Sequence, residues 1–300
     1  MDLTAELQKY GPGTSVVSTS AEARAYCRHL AGSHYENFTV VSGLLPRHLH
    51  QHFCNVYAYC RWADDLADET HDRSHSLELL DWWEQSLRRA TRGEARHPVF
   101  VALAQTMGEF ELTEEPFLDL LTAFRRDQQQ SRYESFEQLL DYCRYSANPV
   151  GRIVLKLGRS YNDENVVLSD SICTGLQLAN FWQDVRRDFA IGRIYIPLED
   201  LRDFDVAAEE LVGPANDRLR HLLRFECNQA ANYLQAGEAL VGRVSKDLRL
   251  PVRLFIDGGL KILQAIQRQK FDVWSSRPTV GKLAKLHLLS KAWFATRFAR

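Results

Sequence analysis

An all-α fold is predicted by three features of the sequence. Apolar residues recur at helical spacing along nearly the whole chain. Alternating β-branched runs and Asn-Gly hairpin turns are missing. The interruptions carry Pro, Gly or polar clusters, the residues that stop helices. Helical segments fall near residues 20–31, 47–69, 76–91, 97–109, 114–130, 135–159, 168–190, 215–244, 251–274 and 280–297. Pro46 precedes the second segment, and Gly93 with Pro98 separates the third from the fourth. The polar Tyr161–Asn165 stretch follows the sixth, Gly192 with Pro197 the seventh, and Arg277–Pro278 the ninth. No low-complexity linker and no internal repeat divides the chain. A single domain over residues 1–300, with residues 1–20 as a flexible lead, is the expectation.

Composition narrows the function. The 300 residues carry a net charge of -2, with 45% hydrophobic and 25% charged residues, enough for a large core. A near-neutral balance argues against a nucleic-acid partner. The six cysteines (27, 54, 60, 143, 173 and 227) form no C-x-x-C pair and no zinc-ligand spacing, so they read as free thiols of a reducing compartment. The polar start MDLTAELQKYGPG is no secretory signal. No apolar run reaches the roughly 18–20 residues of a membrane span. A cytoplasmic protein is expected. The basic and apolar tail KLAKLHLLSKAWFATRFAR invites transient contact with a membrane surface, although its Lys and Arg do not share one helical face.

The chemistry is concentrated in two acidic stripes. Residues four apart on an α-helix lie about 40° apart around the axis. In YAYCRWADDLADE, Asp64 and Asp68 form such a pair, with Tyr57 and Arg61 on the same stripe. Asp65 and Glu69 lie on another face, read as lying behind the ligands or in solvent. In LQLANFWQDVRRDF, Asp184 and Asp188 share a stripe with Gln177 and Asn180, beside apolar Leu178, Trp182, Val185 and Phe189. Like charges at this spacing cost a helix about 0.2–0.5 kcal/mol, and Asp is a poor helix former. A solvated surface accounts for one such pair; two pairs, each set among aromatics, point to Mg²⁺. That ion takes oxygen ligands and is held by one or two carboxylates plus substrate phosphates. Two facing helices, each carrying a pair, would present a cluster of such ions to a diphosphate leaving group.

The motifs YAYCRWADDLADE, DYCRYSANPVG, LQLANFWQDVRRD and GRIYIPLEDL, in that order, resemble the squalene and phytoene synthase family over about residues 30–277. Three local departures, SHYENFTVVSGLLP, SANPVG and Gln183 in NFWQD, are similar to the branch of hydroxysqualene synthases of bacterial hopanoid biosynthesis. The resemblance implies an isoprenoid-synthase helical bundle with a deep central cavity. It implies Mg²⁺ without NADPH, and conversion of presqualene diphosphate and water to hydroxysqualene and diphosphate. Companion enzymes would be a presqualene diphosphate synthase and a hydroxysqualene reductase.

Carried onto this chain, the resemblance implies Asp64, Asp68, Asp184 and Asp188 as metal ligands. Arg61, Tyr57 and Arg187 would hold the diphosphate; Arg suits phosphate because it is always charged and bonds oxygens in a fork. Phe38, Asn180 and Gln183 would line the cavity. Tyr142 matches a residue that transfers a proton or faces a cation. Asn148 is read as positioning the attacking water, with Pro149 kinking a helix and freeing carbonyls; a plain helix break is the other reading of Pro149, and aromatic packing that of Tyr57 and Tyr142. Gln183 in place of an Arg removes a positive charge, in keeping with a single diphosphate substrate. Arg277 matches a basic position loosely. Condensation of two farnesyl diphosphates, with or without reduction, is the rival reaction. A terpene cyclase would need a second motif with Asn, Ser and Glu, and this chain has DVRRD. A di-iron bundle would need two helical Glu-x-x-His motifs, whereas EARH at Glu94–His97 lies in a loop. A non-catalytic binding protein would have no use for two Asp pairs.

Overall fold

Helices make up all the regular structure in this computed structural model, which describes residues 1–33, 45–70 and 72–281; no strand occurs among the described residues. The elements gather into two units, Met1–Gln129 and Gln130–Arg300.

The first unit holds α1 (Leu3–Tyr10), α2 (Ser20–Ser33), α3 (Arg47–Asp68), α4 (Arg73–Thr91), α5 (Pro98–Phe110) and α6 (Glu115–Asp127). Side-chain oxygens of Asp2 and Asp72 accept the first amides of α1 and α4, satisfying orphan donors. Helix α3 packs against α2, α4, α5 and α6. Its inner face follows the 3.6-residue period through Asn55, Tyr59, Trp62 and Leu66, all buried. Trp62 stacks on Trp83 at 5.2 Å and 12°. Each polar atom on this face is matched: Tyr59 donates to the Phe117 carbonyl at 2.9 Å, Trp62 to the Tyr26 hydroxyl at 2.9 Å, and Asn55 to the Ala102 carbonyl at 3.0 Å. Removing a buried aromatic of this size costs about 3–5 kcal/mol, so the cluster fixes how α3 is rotated. The stripe of Tyr57, Arg61, Asp64 and Asp68 is left on the opposite side.

The second unit holds α7 (Phe136–Ser146), α8 (Asn148–Leu157), α9 (Asp163–Ala190), α10 (Leu198–Asp203), a 3₁₀ turn (Ala208–Val212), α11 (Asp217–Ala236), α12 (Leu240–Arg243) and α13 (Lys246–Arg268). Helix α9 is 28 residues long, about 42 Å at 1.5 Å per residue, and packs against α7, α8, α11 and α13. Asn162 caps its start. Gly175 allows a close approach: a Cβ there would lie 2.9 Å from the Leu234 amide nitrogen and 3.1 Å from the Ala230 carbonyl oxygen of α11.

Several expected boundaries shift. The segment 135–159 is two helices, broken at Ala147, and Pro149 sits in the first turn of α8, where a missing N–H costs nothing. The expected interior kink with freed carbonyls is therefore replaced by a helix break; the Cys143 carbonyl accepts the Ala147 amide at 3.0 Å. The segment 215–244 splits at Gly237 into α11 and α12. Helix α13 begins at Lys246, ahead of Pro251, and ends at Arg268. Helices α1 and α10 and the 3₁₀ turn are short and lacked a readable apolar period. The tail beyond residue 281, with its expected 280–297 helix and membrane contact, lies outside the described residues, as does Phe38.

Gly175→Ala is expected to force α9 and α11 apart. The overpacking should cost about 1–3 kcal/mol, read as a lower urea midpoint with an unchanged slope.

Candidate active site

On α3, the outward stripe brings Tyr57, Arg61 and Asp64 together. The Asp64 side chain is 46% exposed and Asp68 is exposed, so both carboxylates reach the surface. Arg61 lies 3.4 Å from Asp64 and 3.8 Å from Glu69, and ion-pairs directly with Asp65. Asp65 is not the solvated residue that the sequence allowed: it is 1% exposed. Burial pushes its carboxyl up to about 6, against the pull of Arg61. A buried carboxylate four residues from an Arg holds the guanidinium in one place, beside Asp64. The i,i+4 spacing of Arg61 and Asp65 was a signal for this role. Tyr57 is half-buried, which pushes its phenol up, and it feels Arg61 and Asp64.

On α9, Asp184 and Asp188 lie on one stripe as predicted. Arg277 grips Asp184 in a fork, Nε to Oδ1 at 2.6 Å and Nη2 to Oδ2 at 2.8 Å. The same Nη2 donates to the Gln183 side-chain oxygen at 3.1 Å, and the Gln183 amide donates to the Pro278 carbonyl. Gln183 is buried and is spent on the 277–278 segment. Arg277 thus brings one positive charge to Gln183 and Asp184. Arg186 donates to the Trp274 carbonyl at 2.6 Å and Trp274 to the Leu211 carbonyl at 2.7 Å, which seats the strap that carries Arg277. Arg187 is mostly exposed, 3.5 Å from Asp184. Asp188 is pushed up to about 7 by burial and by Asp184; Arg193, Arg187 and Arg277 oppose the shift. Arg193 and the close role of Arg277 were not legible in the motif, because Arg277 is 93 positions away.

Beside this pair stands an aromatic wall. Tyr142 is buried and lies 5.4 Å from Tyr133, 5.9 Å from Tyr195 and 6.2 Å from Phe181. Phe181 and Tyr195 stack at 3.8 Å. A small cavity is lined by Phe181, Val185, Asp188, Arg193 and Tyr195, so Asp188 and the wall share one space. Asn148 is buried at the start of α8, and its side-chain oxygen accepts from the Thr174 hydroxyl at 3.1 Å. Asn180 is exposed on α9.

Each unit therefore offers a two-carboxylate set on a helix face. No group of three or more His, Cys, Asp or Glu converges among the described residues. Such donors suit a hard cation that completes its shell with water and phosphate oxygens. Asp188 is raised first by burial and then by Asp184, and the Arg277 guanidinium stands on Asp184.

A helical bundle bearing an Asp-rich motif in each unit is the architecture of an isoprenoid synthase. Residues 31–284 match the squalene/phytoene synthase family. The chain belongs to that family and is an enzyme of it. It is similar to the hydroxysqualene synthase of Sinorhizobium fredii, with 39% identity over 72% of this chain and 73% of that one. It is also similar to the phytoene synthase of Arthrospira platensis, with 31% identity over 93% and 95%. The crystal structure of squalene synthase HpnC from Alicyclobacillus acidocaldarius superposes with a TM-score of 0.80 and 44% identity, over 84% of this chain and 96% of that one. No helix among the described residues is long and apolar enough to cross a membrane.

Arg277→Gln is expected to raise Asp188 above its value of about 7, since it removes one of the cations that oppose the shift. A carboxyl ¹³C titration of Asp-labelled protein would measure it; an unchanged midpoint would show that Arg277 does not act on the pair.

Proposed function

We propose that this enzyme converts presqualene diphosphate and water to hydroxysqualene and diphosphate with Mg²⁺ and without NADPH. The observation that carries the reading is the higher identity to the hydroxysqualene synthase and the HpnC squalene synthase, 39% and 44%, than to the phytoene synthase, 31%. The SANPVG and SHYENFTVVSGLLP stretches and Gln183 in NFWQD agree with it.

Bound Mg²⁺ would neutralise the diphosphate and make it a better leaving group. Asp64 and Asp68 on α3, and Asp184 and Asp188 on α9, would hold it. Arg61, kept in place by Asp65, and Arg187 would bond diphosphate oxygens, with Tyr57 donating its hydroxyl. The C–O bond to the diphosphate breaks and the leaving group takes both electrons. The cation left behind rearranges as a C–C bond of its cyclopropane ring breaks, water forms the new C–O bond, and the proton it loses passes to the released diphosphate. Tyr142, in the wall with Phe181 and Tyr195, would offer the electron-rich faces that stabilise positive charge on carbon. Asn148 would orient the water through its amide; its oxygen, occupied by Thr174, leaves the N–H₂ for that task. Presqualene diphosphate would come from a companion condensing enzyme and hydroxysqualene would pass to a reductase. A cytoplasmic enzyme meeting the membrane transiently suits such apolar molecules.

A second reading is condensation of two prenyl diphosphates, favoured by the match to a phytoene synthase over 93% of the chain. Farnesyl diphosphate and presqualene diphosphate, offered separately with Mg²⁺ and no NADPH, separate the two by mass spectrometry of the extract. Hydroxysqualene is expected from presqualene diphosphate alone. Presqualene diphosphate or a phytoene-type product from an allylic diphosphate would overturn the proposal.

Metal binding should also follow pH. Ligation needs the ionised carboxylate, and Asp188 is protonated below about 7. Apparent Mg²⁺ affinity, measured as a thermal shift with inorganic diphosphate, is expected to rise as pH passes from 6 to 8, toward about tenfold per unit on the acid side. A flat profile would remove Asp188 from the ligand set.

A further inference from the structure

The connection from α9 to α10 carries Arg193 and Tyr195 and is clamped from two sides. On one side it runs along residues 131–134: the Ile194 amide donates to the Ser131 carbonyl at 2.8 Å, Leu198 to Tyr133 at 2.9 Å and Glu199 to Glu134 at 3.0 Å. The Glu199 carboxylate accepts the Phe136 amide at 2.6 Å. On the other side Asp200, on α10, meets Glu226, on α11, carboxyl to carboxyl.

That second contact is unusual in its setting. Glu226 is 0% exposed and Asp200 7%. Both Glu226 oxygens and Asp200 Oδ2 are buried without an N–H or hydroxyl donor. Two ionised carboxylates cannot satisfy each other in such a place; one shared proton can, by turning one oxygen into a donor. The titratable groups that act on the pair are Glu199 and Asp203 on α10 and the buried Cys227 on α11. All are acids, and they favour keeping the proton. Burial and Asp200 together hold the Glu226 carboxyl well above its ordinary value of 4.5.

We infer that Glu226 is a positioning residue for the second aspartate pair: its protonated carboxyl donates to Asp200 and so holds the connection that sets Arg193 beside Asp188 and Tyr195 against Phe181 and Tyr142. The inference deepens the proposed function and rests on it only for which prenyl diphosphate is turned over. Glu226 touches no reacting atom; it acts through Asp200 and the backbone of residues 193–199.

The sign of the pH effect follows. A carboxyl raised in the folded state contributes stability that is whole below its unfolded value near 4.5 and is lost as pH rises through the folded value. Glu226→Gln keeps a donor for Asp200 and removes the proton. Glu226→Leu removes the donor and keeps the volume apolar.

The test compares wild type, Glu226→Gln and Glu226→Leu in two assays. In the first, Tm is followed from pH 5 to 9. The excess Tm of Glu226→Gln over wild type is expected to grow steadily with pH; parallel profiles would overturn the shared proton. In the second, the Mg²⁺ concentration for half-maximal thermal shift with inorganic diphosphate is measured, with turnover of presqualene diphosphate alongside. Glu226→Leu is expected to need several-fold more Mg²⁺ and to lose about tenfold in kcat with little change in KM, and Glu226→Gln to restore both. A folded Glu226→Leu with wild-type Mg²⁺ dependence would overturn the positioning role. Should Glu226→Leu fail to fold, Glu226→Gln decides through its Tm profile. If wild type does not turn over presqualene diphosphate, the reaction assigned above fails, while the Tm and Mg²⁺ arms still read Glu226.

Discussion

Negative charge placed beside apolar packing is the constraint on which the aspartate pair of each unit depends. Carboxylates that are to face a metal must sit on rigid helices, and rigid helices are held by buried faces. The charge is therefore brought to the edge of low-dielectric protein, where an uncompensated carboxylate is costly. The protein meets this cost in three ways. On α3, Arg61 pairs with buried Asp65. On α9, the Arg277 fork covers Asp184. Behind the α9–α10 connection, where no cation acts on the pair, a proton between Asp200 and Glu226 takes the cation's place.

The three solutions have different consequences. Arg61 cannot lose its charge, so Asp65 keeps a permanent cation beside Asp64. Arg277 is also always charged, but it stands on Asp184, a proposed ligand, so its fork and a metal would compete for the same oxygens. A guanidinium there keeps the second pair from repelling itself before the metal arrives. The proton on Glu226 is the one compensation that solvent pH can remove, and it lies under the segment that carries Arg193.

The helices and the aspartate pairs were legible because both are periodic and local. A spacing of four residues specifies a shared face whatever the rest of the chain does, and the Trp62 and Trp182 neighbourhoods marked where each helix turns inward. What was not legible is contact between distant positions. The contact of Gln183 and Asp184 with Arg277 had no signal, because Arg277 stands on a loop with no periodicity of its own. Asp65 was left open between a place behind the ligands and solvent, because its burial depends on α3 being rotated by Tyr59 and Trp62. Glu226 carried no signal: one acidic residue on an amphipathic helix is indistinguishable in sequence from its solvated neighbours. Pro149 was ambiguous for a local reason, since a proline that starts a helix and one that kinks it are preceded by the same helical pattern.

These contacts change what can distinguish reactions within the family. At the second motif Arg277, bonded to both Gln183 and Asp184, supplies one positive charge, and the other acids and cations there serve the diphosphate end. Discrimination must then lie in what surrounds the reacting carbon. The residues of that kind on the α7–α9 side are neutral: Tyr142 in its wall, and Asn148 fixed by Thr174. An amide held at one end by a buried hydroxyl is a poor base but a well-oriented donor and acceptor, the property needed to place a water without drawing protons from a cation. On the proposed reading, the choice between capturing water and coupling a second prenyl chain would fall to neutral groups such as these, while the charged groups would serve the diphosphate common to both.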